Sequence, residues 1–144
     1  MIEQDTIRLL RECDAGVRMG IASLEDVLPS VKSEALADKL SSCREEHMQL
    51  EREIGEQLNR FDDSGKKPNP MARGMAAMKT DVELAMDESD ARVASLITDG
   101  CNMGVKSLSK YLNQYAAADE FSQDIAKRLI ALEDTLAREI RGFL

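Results

Sequence analysis

Residues Ile7 to Leu28 read IRLLRECDAGVRMGIASLEDVL. Apolar side chains recur at Ile7, Leu10, Val17, Ile21, Leu24 and Leu28. With Asp14 included, the steps alternate between three and four, the spacing of a helix that buries one stripe against other helices. One seat on that stripe is therefore an aspartate. The stretch also has an echo. MGIASLEDVL (Met19 to Leu28) returns as MGVKSLSKYL (Met103 to Leu112), and the glycine pair Gly16/Gly20 returns as Gly100/Gly104. The shifted stripe runs through Ala91, Ala94, Thr98, Cys101, Val105, Leu108 and Leu112, again at helix-pair spacing.

Outward from these two stretches the chain reads as helices and short links. The first helix is expected from Asp5 or Thr6, as N-cap, to Leu28, because Pro29 restricts the residue before it. A second spans Glu34 to Phe61, with Leu36, Leu40, Cys43, His47, Leu50 and Ile54 on its seam and Ser33 as cap. DDSGKKPNP (Asp62 to Pro70) is a loop, marked by its glycine, prolines and charges. Met71, Met75, Met78, Val82 and Met86 then place a short amphipathic helix across the bundle. A third long helix is expected from Ser89 to Tyr115. The last runs from Glu120 to Phe143, with seam Ile125, Leu129, Leu132, Leu136 and Ile140.

Composition agrees with an all-α chain. It is 43% hydrophobic but only 3% aromatic, with no Trp, so the residues that sheets favour are scarce. The 144 residues suffice for one domain, 1–144, with a core of its own. The net charge of −8 leaves no basic face for nucleic acid. No run of about 18 apolar residues is present, so no membrane span is expected. Three cysteines, and no basic–apolar–small leader at the start, predict reduced thiols in the cytoplasm.

Two related hairpins joined by a long connection describe a ferritin-like four-helix bundle with an additional short crossover helix. The glycines cost a helix about 1 kcal/mol each relative to alanine. They are therefore expected where the first and third long helices cross, either letting backbones approach or making room for large neighbours such as Met19 and Met103. Asp14-Ala15-Gly16 in the first helix, Lys79 on a Met-rich crossover helix, Asp99-Gly100 in the third and the later Tyr111 or Tyr115 carry a resemblance. The chain resembles the uncharacterised bacterial four-helix-bundle proteins of the ferritin-like superfamily, over essentially its whole length. That likeness implies the fold more than any activity.

Di-metal proteins of that fold place a carboxylate on each of two helices and a Glu-x-x-His on each of the other two. A hairpin turning near residues 30–31 sets Asp14 level with His47, the only histidine, which is half of such a site. The rest departs from the pattern. Arg44 stands three before His47, Thr98 is the echo of Asp14 with Asp99 beside it, and Glu133 is followed at the next turn by Leu136. Candidate ligands for iron, manganese or zinc are thus Asp14, His47, Cys43, Glu133 and Asp99. The competing reading is a buried Asp14–His47 pair that fixes helix register, with Lys106 reaching in to neutralise Asp14. Cys13, Cys43 and Cys101 read as small buried hydrophobes. The sequence therefore predicts a non-catalytic, cofactor-free bundle with a degenerate metal site. It is expected to be a homodimer or to bind a protein partner through the Met71-Met75-Met78 stripe. The alternative is a metal-binding or oxidative-stress protein using Asp14, His47 and Cys43.

Overall fold

A computed structural model describes residues 2–144. Its five α-helices are α1 (Ile2–Val27), α2 (Glu34–Asn59), α3 (Pro70–Met86), α4 (Asp90–Gln114) and α5 (Glu120–Glu139). Two single 3₁₀ turns follow α1 and α5, and no strand occurs among the described residues. Ser33, Asn69, Ser89 and Asp119 each accept a backbone N–H of the following helix. Each satisfies a donor that the helix itself leaves unpaired. No helix among the described residues is long and apolar enough to cross a membrane.

α1 packs on α2, α4 and α5, and α5 packs also on α2 and α4. The two hairpins, α1–α2 and α4–α5, hold each other's turns. At one end the Asp90 carboxylate at the start of α4 accepts the Lys32 and Ser33 N–H groups at 2.8 and 3.0 Å. At the other end Asp5 accepts Ala117 N–H at 3.1 Å, and the Thr6 hydroxyl accepts Asp119 N–H at 2.9 Å. α1 therefore starts at Ile2, earlier than the sequence suggested, because Asp5 and Thr6 cap the other hairpin rather than their own helix. These contacts also set α1 antiparallel to α4. α2 and α4 then run the same way, and the segment between them must return along the bundle. Residues 60–69 and α3 make that journey, and α3 is tied to α1 by Arg73–Asp26 at 2.7 Å.

The core is two apolar blocks. One gathers Leu9, Leu10, Cys13, Val17, Leu50, Ile54, Leu58, Leu108, Ile125 and Leu129. The other gathers Leu24, Val27, Leu36, Leu40, Cys43, Val93, Ile97, Cys101, Leu136 and Ile140. The α2 seam is buried as its spacing predicts. In α1 the buried stripe is turned toward Leu9 and Cys13, and Ile7, Ile21 and Leu28 are only half-buried. In α5 it is Glu133 that is buried, while Leu132 is half-buried. α3 buries none of its residues.

The Asp90 clamp bonds two backbone donors at once. Asp90→Ala should lower stability by about 1–2 kcal/mol, read as a reduced urea midpoint. The same change at exposed Asp38 should stay within about 0.5 kcal/mol.

Candidate functional site

Between the two apolar blocks lies a polar layer. His47 from α2 is 1% exposed and Glu133 from α5 is 7% exposed. The imidazole Nδ1 lies 2.8 Å from the Cys43 carbonyl oxygen one turn back, and 3.4 Å from the Cys43 Sγ. A carbonyl only accepts, so Nδ1 carries the proton and donates it there. That leaves Nε2 facing Glu133 Oε1 at 3.5 Å, longer than a full-strength hydrogen bond. Glu133 Oε2 has no protein partner. Burial pushes the Glu133 carboxyl above the ordinary glutamate range, and the hydrogen bond and charge of His47 pull it back only in part.

The glycines explain how this layer fits. A Cβ at Gly20 would stand 2.7 Å from His47 Nε2, inside contact distance. A Cβ at Gly104 would run into the Glu133 carboxylate. A Cβ at Gly16 would make ordinary contact with Leu108 and Leu129, and one at Gly100 would meet nothing within 4 Å. The pairs Gly16/Gly20 and Gly100/Gly104 therefore do not mark a close approach of two backbones. Gly20 and Gly104 make room for the imidazole and the carboxyl, not for Met19 and Met103. Gly100 belongs to no crossing at all.

Asp14 and His47 are apart. Side chains on both helices lean toward their own N-termini, so residues that touch across an antiparallel pair are offset from those standing level. Gly20 against His47, Arg18 with Glu51 and Glu25 with Arg44 share that offset. Asp14 is 1% exposed and is satisfied elsewhere. Its carboxylate accepts Arg18 Nε at 3.2 Å and the Lys66 N–H at 2.9 Å. Arg18, not the exposed Lys106, is its counter-ion. Gly65, at φ +84°, lies so close over that carboxylate that a Cβ would collide with it, and only glycine adopts this φ freely. Asp14 is thus the anchor on which the crossover begins.

Of the five candidate ligands, the structure sets Cys43 beside His47 Nδ1 and Glu133 beside His47 Nε2, on opposite sides of the ring. Asp14 is spent on the crossover loop, and Asp99 lies at the surface 3.9 Å from Lys79. Among the described residues no three His, Cys, Asp or Glu side chains converge to hold one metal ion. Burial also pushes the Cys101 thiol up to about 12, and the Cys43 thiol is raised from the same leading cause. Both therefore resist becoming the thiolate that a metal binds. The donor set does not fit a two-metal carboxylate centre. Cys13 is likewise a buried thiol, pushed up to about 12.

Sequence reasoning missed the cavity beside the polar layer. It has a volume of about 130 Å³ and reaches from His47 and Glu133 past Leu24, Ile97 and Leu136 to Ala76 and Thr80 of α3. The short side chains of Ala76 and Thr80 were the available signal, since a helix lying on small residues leaves space beneath it. No protein-family model, curated protein or solved structure matches this chain.

Two predictions follow the geometry. Gly104→Ala should destabilise by about 1–3 kcal/mol through overpacking. Gly100→Ala should stabilise by up to about 1 kcal/mol, since alanine suits a helix better than glycine; paired urea melts distinguish them. Because its carboxyl is raised in the folded state, Glu133 favours folding while protonated. That contribution is complete below the ordinary glutamate range and is lost as pH rises through the raised native value. Glu133→Gln should therefore be more stable than the parent at pH 8, and the gain should vanish as the pH falls below the glutamate range. Urea midpoints between these limits give the sign.

Proposed function

We propose that this chain is a non-catalytic bundle of the ferritin-like kind whose ancestral metal site has degenerated, and that it works through protein contact as a cytoplasmic homodimer. The observation that carries this reading is α3. Met71, Met75, Met78, Val82 and Met86 form one stripe and are 54–82% exposed. Scattered exposed apolar residues need no explanation, but a continuous stripe on a helix is the mark of a contact surface.

The occupant that suits this stripe is a second α3. Seventeen residues span about 25 Å. Arg73 stands in the first turn of α3 and Lys79 just past its midpoint, while Asp81 and Glu83 lie in its C-terminal half and Asp87 and Glu88 just beyond it. Antiparallel pairing about a two-fold axis sets the Arg73 end of each helix against the acidic end of its copy, with the methionines between them. The hairpin order, the long return between α2 and α4, and a buried His–Glu pair where a metal site would sit support the ferritin-like reading. Three free cysteines accord with a reducing compartment.

In light scattering coupled to size-exclusion chromatography, the parent should elute as a dimer. The Met75→Glu/Met78→Glu variant should elute as a monomer with unchanged helical circular dichroism. A monomeric parent, or a variant that stays dimeric, would contradict the reading.

A further inference from the structure

The cavity under α3 combines three features. Its wall is mostly aliphatic, with Leu24, Ile97 and Leu136 facing it. Its polar end is Glu133, 7% exposed, whose Oε2 has no protein partner and whose Oε1 has only the long contact to His47. Its roof is α3, which meets it with Ala76, Lys79 and Thr80 and buries no residue of its own. A buried carboxyl with unmet accepting capacity calls for a hydrogen-bond donor, and a charged donor makes the stronger bond.

The shape and charge narrow the ligand. An anion would meet the buried carboxyl of Glu133; Lys79 and Asp99 also line the cavity, 3.9 Å apart, and balance each other's charge, so Glu133 alone sets the polarity of the inner end. A bare metal ion lacks three converging donors. A cavity of about 130 Å³ is close to the roughly 150 Å³ that accepts a benzene ring in an apolar protein interior. We propose that this cavity is a binding site for a small primary ammonium compound with an apolar body of about that size. The ammonium donates to Glu133, and the body lies against Leu24, Ile97 and Leu136. The His47 Nδ1–H stays on the Cys43 carbonyl, so the ligand requires no rearrangement of α2. The cavity opens to solvent beside α3 at Asp99 and Met103, which supplies the way in.

The probe is benzylamine, titrated calorimetrically into the parent, Glu133→Gln and Ala76→Phe, with benzyl alcohol as the neutral counterpart. The parent should show saturable one-to-one binding of benzylamine. Glu133→Gln and the alcohol should each weaken binding about tenfold or more, the loss of one charge-assisted hydrogen bond. Ala76→Phe, which fills the roof without touching the carboxyl or the four-helix core, should weaken it comparably. The absence of saturable binding to the parent would overturn the proposal. So would benzylamine binding equally to Glu133→Gln, or being unaffected by Ala76→Phe.

Discussion

A carboxyl and an imidazole buried between two apolar blocks constrain everything around them. Leaving a carboxylate unpaired in such a place costs several kcal/mol. His47 is the side chain that reaches Glu133 and offsets that cost in part, and the register of α2 and α5 brings the two within 3.5 Å. The imidazole is oriented by its own helix through the Cys43 carbonyl. The two groups are bulky, and the helices facing them give way by carrying no side chain at Gly20 and Gly104. The internal echo in the sequence is thus the trace of one packing problem met on both hairpins.

The rest of the bundle is closed from its ends. Each hairpin presents carboxylate or hydroxyl oxygens to the N–H groups of the other's turn, through Asp90 at one end and Asp5 and Thr6 at the other. Asp14 does the same for the start of the crossover, with Arg18 balancing its charge. What these clamps leave outside is α3. It touches the bundle through Leu84, small residues and a few ion pairs, covers the cavity beside the polar layer, and turns its methionines outward. One helix thereby serves as the roof of a partly open cavity and as the apolar outer surface.

The all-helical character and the helix order were legible because helical spacing is local. The seam of α2, from Leu36 to Ile54, is buried as written. The phase of α1 was less legible. Ile7 and Ile21 keep good spacing, yet Leu9 and Cys13 lie deeper, because α1 is packed by four helices and buries a broad face. The candidate site was legible in part. His47 and Glu133 stood among the candidates, and they do meet. Pairing Asp14 with His47 by level counting failed, because side chains lean along their helices. Gly100 and Gly104 look equivalent in sequence, and only the neighbouring helix reveals that one faces Glu133 and the other faces space.

The single histidine makes the central claim directly observable. A long-range proton–nitrogen correlation spectrum of ¹⁵N-labelled protein contains one imidazole, with no assignment to resolve. Nδ1 should bear a proton, and the Nε2 resonance should move when Glu133 becomes glutamine. An unprotonated Nδ1, or an Nε2 signal indifferent to that substitution, would show that His47 and Glu133 do not form the layer on which the bundle is built.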